Sequence, residues 1–169
     1  MRIVVSDGGC LINLRKASLL DAFLKLPYEI LIPNTLFEDE LLKFTSAQKK
    51  ALIRGGIKVV DLSGECVLRA REVLRSSPQL SIHHGLAFVL AQTHARCILL
   101  TGDGSLRTLA ASHRLKVRGV LWVIDKIHTH KLGTAASLHG TLLLLAGDPT
   151  VRLPRRELAA SIKRYNGLR

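Results

Sequence analysis

Short runs of β-branched and apolar residues alternate along this chain with segments whose apolar residues recur every three or four positions. The runs predict five strands, at residues 3–6, 28–32, 57–62, 97–101 and 117–124. They are continuous and apolar, which is typical of strands buried on both faces of a parallel sheet. The segments between them predict helices at residues 10–26, 64–77, 81–94 and 104–115, with two more inside 35–53. The alternation therefore predicts an α/β fold of three layers (α/β/α), with helices on both faces of a central, mostly parallel sheet of about five strands.

The end of the chain is predicted to be helical and basic. Two further helices are expected near residues 133–146 and 154–166, and Pro154 is tolerated in the first turn of the second one. Residues 149–169 carry six Lys and Arg side chains against one Glu, a net charge of +5. Because 169 residues are the size of one domain, we expect residues 1–148 to form that domain and residues 149–169 to pack on it as a basic helical extension.

The overall charge indicates the chemistry of the partner. The 25 Lys and Arg residues outnumber 13 Asp and Glu residues, and the resulting net charge of +12 favours a polyanion such as RNA. Five side chains of the tail are the predicted phosphate contacts: Arg152, Arg155, Arg156, Lys163 and Arg164. A solubilising surface and a contact for an acidic protein are the alternatives. With one Trp, two Tyr and four Phe, the chain has few residues for an aromatic platform that stacks single strands.

Several classes of protein are disfavoured by the sequence. The longest apolar run, within residues 141–147, is far shorter than the roughly 18 residues of a membrane span. Cysteines at positions 10, 66 and 97 are odd in number and widely spaced, which indicates neither a disulfide framework nor a thiolate zinc site. After Met1 and Arg2, only three apolar residues precede Ser6, so no signal peptide is predicted and we expect a cytoplasmic protein without membrane contact.

Two Asp residues follow buried strands of the predicted sheet. Asp7 comes directly after the first strand, and Asp103 comes shortly after the fourth. In open parallel sheets, ligands bind outside the carboxyl ends of the strands, so both carboxylates are predicted at the same edge. Each Asp has two explanations, because it either caps the helix that follows or binds a ligand.

A third acidic cluster, Glu38 to Glu40, follows the second strand and is expected to begin a helix, where acids complement the helix dipole. The apolar stripe of this helix places Glu40 beside the buried face and Glu38 toward solvent. Carboxylates of Asp7, Glu40 and Asp103 in one pocket would repel one another strongly unless a divalent cation neutralised them. Oxygen ligands with room for water suit Mg²⁺ or Mn²⁺, which activate water in phosphodiester cleavage. A basic protein with such a pocket is predicted to be a nuclease.

Four segments resemble the PIN domain family, and in particular its small ribonucleases that act as toxins in toxin–antitoxin pairs. They are IVVSDGGCLINL, IPNTLFEDELL, LSIHHGLAFVLA and ILLTGDGSLRTLA, and the match extends over residues 3–124. The resemblance implies hydrolysis of RNA by a cluster of three or four acids that binds Mg²⁺ or Mn²⁺. It also implies an antitoxin protein and a second copy of the chain as partners. Carried over to this sequence, the catalytic metal ligands fall on Asp7, Glu40 and Asp103, with Glu38 as the substitute for Glu40.

The sequence departs from the family pattern at two positions. Gly9 stands where the family has Ser or Thr, which removes a hydroxyl near the metal. His84 stands where the family has Asp, and no acid occurs from residue 73 to residue 102. Three roles stay open for His84: a polar residue at a helix start capped by Ser81, a cation that pairs with Asp103 in place of the metal, and a ligand for a softer ion such as Mn²⁺ or Zn²⁺.

Two functions follow from these residues. The first is an Mg²⁺- or Mn²⁺-dependent ribonuclease of the toxin type, in which three carboxylates hold one ion that activates the attacking water. A second metal ion is not expected, because the family's third acid is missing. The second function is that of a catalytically impaired PIN domain that binds RNA or protein. An unrelated α/β protein whose strand-end acids are only helix caps is the remaining alternative.

Overall fold

Five parallel strands form one central sheet in the computed structural model, which describes residues 1–169. The strands are β1 (Arg2–Ser6), β2 (Tyr28–Pro33), β3 (Lys58–Val60), β4 (Ile98–Leu100) and β5 (Lys116–Arg118). Their order across the sheet is β3-β2-β1-β4-β5. All four strand pairs are parallel, which confirms the predicted α/β fold with a parallel sheet of five strands.

Ten helices connect and cover the strands. They are α1 (Gly8–Lys16), α2 (Leu20–Leu24), α3 (Asn34–Asp39), α4 (Ser46–Arg54), α5 (Gly64–Ser76), α6 (Ile82–Gln92), α7 (Gly104–Ser112), α8 (Val120–Thr129), α9 (Ala135–Gly147) and α10 (Arg155–Gly167). None of the ten combines the length and the apolarity that crossing a membrane requires.

Successive strand residues point to opposite faces of the sheet and enter two separate cores. Val4 and Leu100 belong to the larger core, together with buried residues of α1, α2 and α8. Val5 and Leu99 belong to the smaller core, together with buried residues of α5, α6 and α7. Each core lies between the sheet and the helices on one of its faces, which gives the three layers of the fold. The parallel pairing of β1 with β4 places the carboxyl ends of these two strands side by side.

The last predicted strand is wrong over most of its length. The sequence predicts a strand over residues 117–124, but β5 ends at Arg118 and α8 begins at Val120. β-branched residues in this run favour a strand locally. Four apolar residues of α8 recur at helical spacing and are buried: Val120, Val123, Ile124 and Ile127. Packing of this face outweighs the local preference, and Trp122 is a half-buried helix residue instead of a strand residue in the core.

Two further differences concern helices near the first two strands. The segment 10–26 contains two helices, because Ser18 adopts a left-handed backbone with φ of +56° and ends the first one. The prediction that Glu38 to Glu40 begin a helix is wrong: α3 begins at Asn34, directly after β2, and Glu40 follows its last turn. Acidic residues at the C-terminal end of a helix interact unfavourably with the helix dipole, so the dipole does not explain the acids at positions 38–40.

The basic tail forms α10, which packs against α8 and α9. Tyr165 of α10 is buried in the larger core, and its hydroxyl donates to Oδ1 of Asp125 at 2.7 Å. Residues 148–154, which we name the connecting segment, join α9 to α10. The ammonium group of Lys16 donates to the hydroxyl of Thr150 at 2.8 Å, which ties this segment to α1.

Candidate active site

A cavity of about 580 Å³ opens at the carboxyl ends of the central strands, where open parallel sheets bind ligands. Four of the residues considered for the metal site line it: Asp7, Glu40, His84 and Asp103. Asp7 follows β1, Glu40 follows α3, His84 lies in the first turn of α6, and Asp103 follows the end of β4. The fold therefore brings side chains from four distant segments to one pocket.

Asp7 is almost completely buried, with 4% of its surface exposed. Its Oδ1 accepts a hydrogen bond from the backbone N–H of Cys10 at 2.8 Å and so caps α1, and its Oδ2 accepts from the hydroxyl of Thr101. Burial raises the pKa of Asp7, while the hydrogen bond from Thr101 opposes the rise. Helix capping is thus one role of Asp7, and it uses only part of the acceptor capacity of the carboxylate.

Thr101 connects Asp7 to Asp103. Its buried hydroxyl donates to Asp7 and accepts from the backbone N–H of Asp103 at 3.1 Å. Asp103 in turn caps α7, because its Oδ1 accepts from the backbone N–H of Leu106 at 2.8 Å. A hydroxyl that donates and accepts at once holds both neighbours in a fixed arrangement. The ends of β1 and β4 are therefore joined by a side-chain contact as well as by the sheet.

Glu40 extends over the start of α1 because residue 8 is glycine. A Cβ atom at Gly8 would lie 2.6 Å from Oε2 of Glu40 and 3.0 Å from its Cβ, so a side chain there would displace Glu40. No ion pair engages the Glu40 carboxylate. Burial, and then the negative charge of Asp7, raise the pKa of Glu40, while His84 lowers it. Asp7 and Glu40 are thus two carboxylates whose charges repel within one pocket.

His84 takes part in a capping box at the start of α6. Its backbone N–H donates to the hydroxyl of Ser81 at 3.2 Å, and its Nδ1 accepts from the Ser81 N–H at 3.4 Å. The first of the three roles considered for His84, a polar residue at a capped helix start, is therefore present. His84 forms no ion pair with Asp103. With Nδ1 accepting, the neutral ring carries its proton on Nε2.

The donor atoms of the pocket suit a hard divalent cation, although they do not form a closed cage. Nowhere in the chain do three or more His, Cys, Asp or Glu side chains form a group placed to hold a metal ion. The pocket offers carboxylate oxygens of Asp7, Glu40 and Asp103 and an amide oxygen of Asn13. Mg²⁺ usually binds proteins through one or two carboxylates and keeps several waters. The residues present fit an ion of this kind, held by few direct protein ligands.

Basic side chains line the same pocket: Lys16, Arg107, Arg118 and Arg152. Arg107 lies four residues after Asp103 in α7, and its guanidinium donates to the Thr101 carbonyl at 2.9 Å. Arg152 is exposed on the connecting segment and forms no ion pair. Guanidinium groups bind phosphate oxygens through charge-assisted hydrogen bonds. The pocket therefore combines groups that bind cations with groups that bind phosphates.

The other predicted site residues lie outside the pocket. Glu38 is exposed, so Glu40 is the acid of this segment that lines the cavity. Of the five tail residues predicted to contact phosphates, only Arg152 lines it. Exposed positions on α10 hold the remaining four: Arg155, Arg156, Lys163 and Arg164. Arg164 is moreover paired with Asp125.

Sequence reasoning missed Thr101 and Arg107, although both lie in the segment ILLTGDGSLRTLA. The four-residue spacing from Asp103 to Arg107 was a usable signal, since it places both side chains on one side of a helix. The contact of Thr101 with Asp7 joins residues 94 positions apart, which no local spacing reveals.

The family model DUF3368, described as a PIN domain, matches residues 3–166. The chain belongs to the PIN domain family. The match includes the sheet, the pocket and most of the basic tail, and it confirms the resemblance found in the sequence. PIN domains are in general nucleases that act on nucleic acid and depend on divalent metal ions. No curated protein matches the chain.

Proposed function

We propose that this PIN domain hydrolyses phosphodiester bonds of RNA with the help of one Mg²⁺ or Mn²⁺ ion. The observation that carries the proposal is a single pocket in which Asp7, Glu40 and Asp103, from separate segments, lie beside four basic side chains. Carboxylates bind a divalent ion, and basic groups bind the phosphates of the substrate. The net charge of +12 favours the approach of RNA to the protein.

Asp7 and Glu40 are the side chains that would hold the ion. The charge of Asp7 raises the pKa of Glu40, and a cation between the two would remove this repulsion. Asp103, whose Oδ1 caps α7, lines the same pocket and would be the third carboxylate beside the ion. When bound, the ion supplies a water of lowered pKa and stabilises the negative charge that develops on the phosphate.

The chain's own residues would position the RNA and the carboxylates. Arg107 is fixed by its bond to the Thr101 carbonyl, and its remaining N–H groups would orient the scissile phosphate. Thr101 favours the charged form of Asp7 by donating to it, which partly offsets the effect of burial. These contacts hold the groups in place before substrate arrives, as effective catalysis requires.

A cleavage assay with labelled RNA tests the proposal. The wild-type chain is expected to cleave with Mg²⁺ or Mn²⁺ and to stop when EDTA is added. Asp7→Asn keeps an oxygen that can cap α1 and should abolish cleavage, as should Glu40→Gln. Asp61→Asn, at an exposed site after β3, is the matched control and should cleave like wild type. Full cleavage by Asp7→Asn would refute the assignment.

A PIN domain that binds RNA without hydrolysing it is the second candidate. Two observations favour it: His84 replaces an acid of the family and uses Nδ1 in a helix cap, and Gly9 offers no hydroxyl. Calorimetric titration with Mn²⁺ distinguishes the candidates. Binding in the low micromolar range supports the ribonuclease, whereas no heat at millimolar Mn²⁺ supports the impaired domain.

The toxin role, the antitoxin partner, the homodimer and the cytoplasmic location stay predictions. Size-exclusion chromatography with light scattering tests the homodimer. Co-expression with the product of a small adjacent reading frame tests the antitoxin, because a stable complex is expected only if that product binds this chain.

A further inference from the structure

We propose that the pocket contains a nucleotide subsite beside the acids, in which an unpaired base lies against Trp122 and a neighbouring phosphate binds Arg152. The inference rests on the proposed function for one point, that the ligand is RNA. It assigns a base-binding role to residues that do not hold the metal.

The acids and Trp122 reach the pocket from different segments. Asp7 follows β1 and Asp103 follows β4, whereas Trp122 lies in the first turn of α8, which packs against α1 and α2. The acids offer carboxylate oxygens to a ligand, and Trp122 offers an indole ring. Different groups of one RNA strand would therefore contact the acids and Trp122.

Part of the pocket wall is apolar. Its apolar side chains include Ile12, Val120, Leu121, Trp122, Leu153 and Pro154. Contact with an apolar wall does not stabilise a bound metal ion or phosphate, whereas it does stabilise a nucleobase, whose faces are apolar. Two neighbours outside this wall pack against the ring of Trp122 and orient it. The centroid of the ring lies 5.5 Å from the centroid of the Tyr28 ring and 5.8 Å from the ammonium nitrogen of Lys126.

Arg152 supplies a positive charge beside this wall. It lies on the connecting segment, which is ordered by the bond of Lys16 to Thr150 and by a 2.8 Å bond from the Thr150 N–H to Asp148. Glu157 lines the same region but forms no ion pair with Arg152. The guanidinium is therefore held near the pocket without an acidic partner in the protein.

The shape of the site favours a single strand over a duplex. A cavity of about 580 Å³ is in the size range of small-ligand pockets and requires a base that leaves its stack. Bases of single-stranded RNA are recognised in this way, by stacking on aromatic side chains, whereas duplex RNA is recognised by its surface. One aromatic residue is sufficient for one base, so the scarcity of aromatic residues does not argue against the subsite.

Fluorescence of Trp122 provides a direct test, because it is the only Trp in the chain. The wild-type protein is titrated in EDTA with a short oligoadenylate and with an abasic oligomer of equal length. We expect oligoadenylate to quench the emission and to bind more tightly than the abasic strand. Equal affinity for the two strands, absence of quenching, or equal quenching by a duplex would overturn the proposal, and none of these outcomes requires a variant.

Variants then assign the contacts, with binding measured by anisotropy of labelled RNA. Trp122→Leu should weaken binding of oligoadenylate by about five- to 150-fold, the range for stacking one base, and leave the abasic strand unaffected. Arg152→Gln should reduce the slope of log affinity against log salt by about 0.7, as expected for one lost phosphate contact. Arg71→Gln, at an exposed site on α5 outside the pocket, should leave the slope unchanged. Equal slopes for the two arginine variants would remove Arg152 from the site.

EDTA separates this test from that of hydrolysis. A protein that cleaves RNA but does not distinguish oligoadenylate from the abasic strand would overturn the subsite alone. A protein that shows base-dependent quenching but never cleaves would overturn the proposed function and leave the subsite intact.

Discussion

Gly8 and Gly9 provide a matched pair of substitutions that tests whether Glu40 holds the ion. A Cβ atom at Gly8 would lie 2.6 Å from Oε2 and 3.0 Å from Cβ of Glu40. Since the second of these atoms is in the stem of the side chain, Gly8→Ala displaces the carboxylate and also shifts the stem of Glu40 by a few tenths of an ångström. A Cβ atom at Gly9 would meet only Oδ1 of Asp7, at 3.7 Å, which is an ordinary contact.

The two variants are therefore expected to differ in metal binding. Gly9→Ala should stabilise the protein by about 0.4–1 kcal/mol, since alanine restricts the unfolded chain, and should bind Mn²⁺ like wild type. Gly8→Ala should lose about 10- to 100-fold in Mn²⁺ affinity, the range found when groups that orient a metal ligand are altered. Calorimetric titration measures both affinities, and urea unfolding verifies that both variants fold. A folded Gly8→Ala variant with wild-type affinity would contradict the role of Glu40.

Three further predictions concern the same pocket. Thr101→Val removes the donor to the buried Asp7 carboxylate and should destabilise the protein by about 1.5–3 kcal/mol in urea unfolding, whereas Thr108→Val, at an exposed site, should have little effect. Burial and the charge of Asp7 raise the pKa of Glu40, so the folded state binds more protons than the unfolded state in this pH range. The free energy of unfolding should therefore fall as the pH rises from the ordinary pKa of 4.5 through the raised pKa of the folded state. Glu40→Gln should flatten this decline, and an unchanged pH profile would show that the carboxylate is not perturbed. His84→Asp should increase Mn²⁺ affinity on the order of tenfold, because it adds a carboxylate in the first turn of a helix, where acids are tolerated. Unchanged affinity would show that the side chain of residue 84 does not reach the ion.

The fold was predictable because its main signals are local. Continuous apolar runs at residues 3–6, 28–32 and 97–101 indicated buried parallel strands, and each corresponds to a strand of the sheet. The error at residues 117–124 arose where two patterns overlap. This run is rich in β-branched residues, yet its apolar positions also recur at helical spacing, and packing against the sheet selects the helix.

The composition of the pocket was only partly predictable. Residues that follow strands, such as Asp7 and Asp103, are placed by the general rule for parallel sheets. Arg152 and Trp122 reach the pocket through the packing of the connecting segment and of α8, which no spacing in the sequence encodes. The helix-capping roles of both Asp residues were foreseen as an alternative, and the structure contains them together with the shared pocket.

Anomalous diffraction from crystals soaked in Mn²⁺ tests the central claim most directly, since it locates the ion without relying on activity. The account predicts one anomalous peak in the pocket, in contact with carboxylate oxygens of Asp7 and Glu40 and with several waters. No peak in this pocket at millimolar Mn²⁺, or a peak that touches neither carboxylate, would contradict it.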